Sequence, residues 1–106
     1  MIEIDKDTFE QEVEHCPGPV VVDFWGPHCA PCLALLPDVE QLAESYASKI
    51  KFCKVNVAAN RHLCISLKVM GVPAFLFYKG GECTDRLTGD DVSLEAIKTK
   101  ADALLA

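Results

Sequence analysis

Two of the six cysteines in this chain, Cys29 and Cys32, are three positions apart in the stretch WGPHCAPC. Cysteines at this spacing can hold a metal ion, form a structural bridge, or open and close a disulfide as the protein works. A structural zinc site needs a second close pair of ligands, and Cys53, His62 and Cys64 do not supply that spacing. We therefore expect redox chemistry at this pair and no metal.

The residues around the pair predict a strand that leads into a helix. VVVDFW, residues 20–25, is rich in β-branched and aromatic side chains, as a strand buried on both faces requires. From Leu33 onward apolar residues recur every three or four positions, which is typical of an amphipathic helix, and Pro37 should bend it. Cys29 would then lie at the helix amino terminus, where free N–H groups and the helix dipole favour a thiolate and lower the thiol pKa.

The rest of the chain predicts a single α/β domain over residues 1–106. Short apolar runs alternate with stretches of helical period in the order βαβαβαββα, which indicates a central sheet flanked by helices. The helix between VVVDFW and IKFCKVNV predicts a right-handed crossover between parallel strands. AFLFYKGGECTDRL predicts two antiparallel strands joined at Gly80 and Gly81, so the sheet is expected to be mixed.

Charge and hydropathy exclude several kinds of partner. The chain has 16 acidic and 10 basic residues, a net charge of −6, and no cluster of Lys and Arg that could follow a phosphate backbone. We expect neither nucleic acid nor a membrane as a partner. The amino-terminal residues do not have the pattern of a targeting segment, and no stretch of about 18 apolar residues occurs, so we expect a cytoplasmic protein. Nothing in the sequence demands more than a monomer.

Several features together resemble the thioredoxin family over the whole chain: VVDFWGPHCAPC, Pro37, the GVP of residues 71–73 and the element order. The resemblance implies a protein-disulfide reductase in which Cys29 is the exposed attacking thiol and Cys32 the buried resolving thiol. It also implies that Pro73 is a cis proline beside the pair. The implied substrate groove contains His28, Ala30, Pro31, Gly71, Val72, Pro73 and Gly89.

Asp23 is unusual because it lies within an otherwise apolar strand. An unpaired buried carboxylate costs free energy, so the pKa of Asp23 should rise until the group is neutral or partnered. The resemblance implies that Asp23 is the general base toward Cys32 and that Lys54 is its electrostatic partner. Trp25 is expected to lie close enough to the two thiols to report their redox state by fluorescence.

This sequence departs from the usual thioredoxin site, W-C-G-P-C. His28 stands in the place of the second tryptophan and Ala30 in the place of glycine, and Leu33 occupies a place often held by lysine. A protonated His28 would stabilise the Cys29 thiolate and make the protein more oxidising, whereas a neutral one would change only the contact surface. The sign of the net effect on potential is open, and so an oxidant, an isomerase or a dedicated donor to one reductase stays an alternative. A binding module with a redox-silent or metal-holding pair is another.

The resemblance implies no bound cofactor. Reducing equivalents would come from a separate reductase, either an NADPH-dependent flavoprotein or a ferredoxin-linked enzyme, and would pass to disulfide-containing proteins. The remaining cysteines are expected to behave as small apolar residues in or near the core. They are Cys16, Cys53, Cys64 and Cys83. The alternative is that Cys64 or Cys16 is exposed and forms a regulatory bridge.

Overall fold

A computed structural model describes residues 1–106, and in it five strands form one mixed sheet. The strands are β1 Ile2–Ile4, β2 Pro19–Trp25, β3 Lys51–Asn56, β4 Ala74–Lys79 and β5 Glu82–Thr88. Their spatial order is β1-β3-β2-β4-β5. β3 pairs in parallel with β1 and β2, whereas β4 runs antiparallel to β2 and β5. The predicted mixed sheet is therefore confirmed.

Helical segments follow the predicted places along the chain. The α-helices are α1 Ala30–Ser45, α2 Arg61–Ser66 and α3 Leu94–Leu104, and single 3₁₀ turns cover Val57–Ala59 and Gly89–Asp91. The segment between β1 and β2 is a five-residue π-helix, Glu10–Glu14, rather than the α-helix that we expected. Pro37 lies inside α1, where it removes one intrahelical N–H without ending the helix. None of the helices is long and apolar enough to cross a bilayer.

The sheet is covered on both faces, so the core has two layers. One apolar cluster holds Phe9 and Val13 of the amino-terminal segment together with Cys64 of α2. The other holds Val39 of α1 and Ile97 of α3. Each layer removes large apolar side chains from water, at roughly 1.5 to 3 kcal/mol for each fully buried one.

Strand alternation decides which layer each residue of β2 joins. Val20, Val22 and Phe24 contribute to the layer that contains Phe9, whereas Val21 contributes to the layer under α1 and α3. Asp23 is two positions from Val21 and shares its face, because side chains alternate along a strand. The carboxyl group of Asp23 is thus on the side of the sheet that α1 covers.

The β4–β5 hairpin depends on two glycines. Gly80 and Gly81 have φ values of +61° and +84°, the left-handed pair that a two-residue hairpin turn needs. A Cβ atom added to Gly81 would collide with the backbone carbonyl of Glu14, while one added to Gly80 would meet open space. Of the two turn glycines, Gly81 is therefore the one that packs against the π-helical segment.

Candidate active site

The two cysteines of the C-x-x-C segment form a disulfide at the start of α1, with their Cα atoms 5.3 Å apart. Cys29 is the N-cap residue, and its Sγ accepts a hydrogen bond from the backbone N–H of Cys32 at 3.2 Å. Its carbonyl accepts the N–H of Leu33, which starts the helix, and Pro31 fits the first turn because that turn needs no N–H from it. The first sulfur therefore lies where unpaired N–H groups and the helix dipole stabilise negative charge.

The two cysteine residues differ in exposure to solvent. Cys29 is half-buried, whereas Cys32 is only 5% exposed. Cys29 is therefore the more accessible of the two to a molecule in solution.

Two open cavities lie at the start of α1 and share Pro31 and Val72 as a common wall. One, of about 650 Å³, is lined by Cys29 together with His28 and Ala30. The other, of about 570 Å³, contains Pro73, Gly89 and Asp90 among its lining residues. Each of the predicted groove residues except Gly71 lines at least one of these two cavities.

The loop before β4 supplies the backbone of the groove. The Val72–Pro73 peptide bond is cis, as the resemblance implied. The carbonyl of Pro73 accepts the N–H of Gly89 at 3.0 Å, which holds the turn after β5 beside the proline. Gly71 lines a third, smaller cavity with Met70 and Val69, and that cavity shares Val57 and Val72 with the one beside Cys29.

Asp23 is buried on the face of the sheet that α1 covers, with only 4% of its surface exposed. Burial raises the pKa of its carboxyl from an ordinary 3.8 to about 7, against a smaller lowering by the charge of Lys54. The charge of Glu3 adds a further small increase. A carboxyl with a pKa near 7 can both take up and release a proton at neutral pH.

Lys54 occupies the position in β3 directly opposite Asp23, but it is not an ion-pair partner of that residue. Its Nζ lies 4.0 Å from Oε1 of Glu3 and 5.9 Å from the centroid of the Trp25 ring. Trp25 ends β2, and its indole N–H is buried without an acceptor in the chain. The charge of Lys54 therefore acts on the pKa of Asp23 without an ion pair between the two residues.

The four remaining cysteines are free and have different environments. Cys53 and Cys64 are buried in the core, as expected, so the alternative that Cys64 is exposed is wrong. Cys16 is half-buried. Cys83 is exposed on β5, and the expectation that it lies in or near the core is wrong. β5 is an edge strand, and a β-bulge opposite Phe77 and Tyr78 shifts its register, so that Cys83 is not on the face where Leu87 is buried.

The sequence reasoning missed several residues of the groove. Ala34 and Leu35 of α1 line the same cavity as Pro73, and so does Val92, which follows the second 3₁₀ turn. Asp90 was also missed, although it directly follows a glycine that the resemblance placed there. No three His, Cys, Asp or Glu side chains converge on one point anywhere in the chain.

Comparisons with known proteins agree with this geometry. Residues 1–103 match the family model described as Thioredoxin. A thioredoxin of Peptoclostridium acidaminophilum is 44% identical over 106 residues, which are 100% of this chain and 93% of that protein. A thioredoxin of Acetoanaerobium sticklandii is 43% identical over 88% of this chain and 89% of its own length, and Thioredoxin 1 of a Nostoc species is 37% identical over 82% and 81%. With the cis proline and the capped C-x-x-C disulfide in place as well, the chain belongs to the thioredoxin family.

Proposed function

We propose that Cys29 attacks the disulfides of protein substrates and that Cys32 resolves the mixed disulfide that forms. The underlying activity is that of a thioredoxin-type protein-disulfide reductase, in which the Cys29–Cys32 pair alternates between dithiol and disulfide. The observation that carries the assignment of roles is the difference in exposure between the two cysteine residues. Only the half-buried Cys29 can meet a bulky substrate.

Each cycle moves two electrons from the protein to the substrate. The Cys29 thiolate bonds to one substrate sulfur and releases the other as a thiolate, which takes up a proton. Cys32 then loses its proton and bonds to the sulfur of Cys29, and the second substrate thiol leaves. The substrate is reduced by two electrons and the protein carries the disulfide, which a reductase must reduce before the next cycle.

Asp23 is the proposed general base for the second step. Its pKa of about 7 suits the acceptance of a proton at neutral pH, and its side chain is on the same side of the sheet as α1, which carries Cys32. Lys54 tunes that pKa through its charge. Trp25, the only tryptophan, is proposed as the fluorescent reporter of the redox state.

The groove residues are proposed to receive an extended substrate segment. Val72 lines both cavities, where its backbone polar groups can pair with a substrate main chain. Main-chain pairing is insensitive to sequence, so a broad substrate range is expected from this contact alone. His28 and Ala30 line the flank nearer the attacking sulfur and would set how side chains approach it.

We propose a monomer without a bound cofactor in the cytoplasm, where four free cysteines would stay reduced. The recycling partner is a reductase, either an NADPH-dependent flavoprotein or a ferredoxin-linked enzyme. Disulfide-containing proteins are the other partners.

The test is insulin disulfide reduction with dithiothreitol as donor, for the intact protein and for Cys29→Ser and Cys32→Ser. Both variants should lose activity, and Cys32→Ser should accumulate a mixed disulfide with the substrate because it lacks the resolving thiol. Cys64→Ser, a change at a buried cysteine of the opposite layer, is the matched control and should keep activity. A mixed disulfide trapped by Cys29→Ser instead would reverse the two roles.

The redox potential distinguishes a reductant from an oxidant or isomerase. Thioredoxin-like reductants lie at about −270 mV, whereas isomerases and oxidants lie at about −180 to −120 mV. A value near the first is expected here. A value near the second would mean that His28 and Ala30 have changed the direction of electron flow.

A further inference from the structure

The cavity beside Pro73 carries one ionisable side chain, that of Asp90. Its other lining residues are proline, glycine, alanine and aliphatic side chains, which neither donate nor accept hydrogen bonds through their side chains. The flank on the opposite side of Pro31 has His28 and Cys29 as its titratable groups. A substrate segment that lies along the groove therefore meets a single fixed negative charge on the proline side.

The backbone fixes where this charge lies. Gly89 is held to Pro73 by a 3.0 Å hydrogen bond from its N–H to the proline carbonyl. Asp90 is the next residue, inside the 3₁₀ turn Gly89–Asp91, and that turn is closed by a hydrogen bond from the N–H of Val92 to the carbonyl of Gly89. The carboxylate is thus anchored within two residues of a contact to the cis proline.

No group of the chain neutralises Asp90. Two nearby acidic residues are paired, Asp85 with Lys100 at 2.6 Å and Asp102 with Lys98 at 2.8 Å, whereas Asp90 and its neighbour Asp91 are not. Asp90 is exposed and takes part in none of the ion pairs or side-chain hydrogen bonds. An unpaired carboxylate beside an apolar surface is complementary to a cation with an aliphatic stem, which is the form of lysine and arginine.

We propose that Asp90 is a specificity-determining residue, which favours substrates that carry Lys or Arg beside the disulfide and disfavours those that carry Asp or Glu there. The inference rests on the proposed function, because it assumes that substrates lie in this groove. Main-chain pairing beside Pro73 would accept many sequences, and Asp90 would rank them by charge. An exposed ion pair of this kind changes a rate constant by about 1.5- to 5-fold.

The experiment uses the reduced protein and a set of peptide homodisulfides. The peptides differ only in having Lys, Gln or Glu at one of the three positions before the cysteine, and the second-order rate constant for release of peptide thiol is measured for each. The intact protein should reduce the Lys peptide faster than the Glu peptide at the position that faces Asp90. In Asp90→Asn this Lys-to-Glu ratio should fall by about 2- to 10-fold, since both the attraction and the repulsion are lost.

Asp91→Asn is the matched control, because Asp91 has the same charge in the same turn but does not line the cavity. It should leave the ratio within about 1.5-fold of that of the intact protein. An equal fall of the Lys-to-Glu ratio in both variants would show a general electrostatic effect of the turn rather than a contact in the groove. An equal change in the rate constants of all peptides with Asp90→Asn would mean that Asp90 acts on the reactivity of Cys29. Either result overturns the proposal. Failure of the intact protein to reduce any peptide or insulin would instead remove the proposed function itself.

Discussion

Asp23 and Lys54 lie directly opposite each other in the parallel pairing of β2 and β3, yet they make no ion pair. The ammonium of Lys54 lies 4.0 Å from the carboxylate of Glu3 instead. Burial is therefore the largest influence on the pKa of the Asp23 carboxyl and raises it to about 7, while the charge of Lys54 makes the rise smaller. A group placed in this way weakens the fold but is ready to exchange a proton at neutral pH.

Replacement of Asp23 by Ala should stabilise the protein at pH 8 but not at pH 4. The carboxyl has a pKa of about 7 in the folded protein and an ordinary value of 3.8, so the unfolded chain ionises first as the pH rises. The free energy of unfolding is therefore highest below about pH 4, where the carboxyl is neutral in both states. It falls by a few kcal/mol as the pH rises to about 7. Urea unfolding at the two pH values measures the difference.

The control for that measurement is Asp91→Ala, a change at an exposed carboxylate. Its effect on the free energy of unfolding should be within about 0.5 kcal/mol at both pH values. Asp23→Ala also removes side-chain volume from a buried strand, which costs free energy at every pH. Equal effects of Asp23→Ala at pH 4 and pH 8 would contradict a raised pKa.

Lys54→Gln should raise the pKa of Asp23 further, because the charge of Lys54 is what lowers it. A ¹³C NMR titration of the Asp23 carboxyl measures this directly, and the pH midpoint of disulfide reduction should move upward with it. Lys51→Gln is the matched control: Lys51 is in the same strand but binds Glu12, 3.0 Å away, on the other side of the sheet. A midpoint that moves equally in both variants would show that the field of Lys54 is not specific.

Alkylation of the oxidised protein should separate the four free cysteines by exposure. Cys83 should react first and Cys16 more slowly, because they are exposed and half-buried. Cys53 and Cys64 should react only after unfolding, since burial shields both thiols and raises their pKa values, to about 11 for Cys53. Peptide mapping by mass spectrometry gives the order, and labelling of Cys53 before Cys83 in the native protein would contradict the arrangement.

Gly81→Ala should destabilise the protein more than Gly80→Ala. Both positions have a positive φ, for which an L-residue pays roughly 1 to 2 kcal/mol. Only at Gly81 does the new Cβ also collide with the backbone of Glu14, so the hairpin or the π-helical segment must move. Thermal unfolding of the two variants isolates the collision, because the backbone strain is common to both. Equal melting temperatures would show that the collision relaxes at no cost.

Patterns with a regular period were enough to predict the fold. The alternation of apolar runs with helical stretches predicted the order of elements. Gly80 and Gly81 predicted the hairpin, because a two-residue turn needs positive φ at both positions and glycine adopts it readily. The π-helix at Glu10–Glu14 was not predicted, since an α-helix and a π-helix place nearby apolar residues on the same face over so short a segment. Local pattern alone does not distinguish the two.

The sequence by itself determined the chemistry of the pair, because C-x-x-C at a strand-to-helix junction fixes both the spacing of the sulfurs and their position at a helix amino terminus. Only the tertiary structure decided what surrounds them. It placed Cys83 in solvent, turned Lys54 toward Glu3, and brought Asp90 beside Pro73 from 17 positions further along the chain. These relations depend on packing between distant segments and on which face of an edge strand is covered, and neither is encoded in a local pattern.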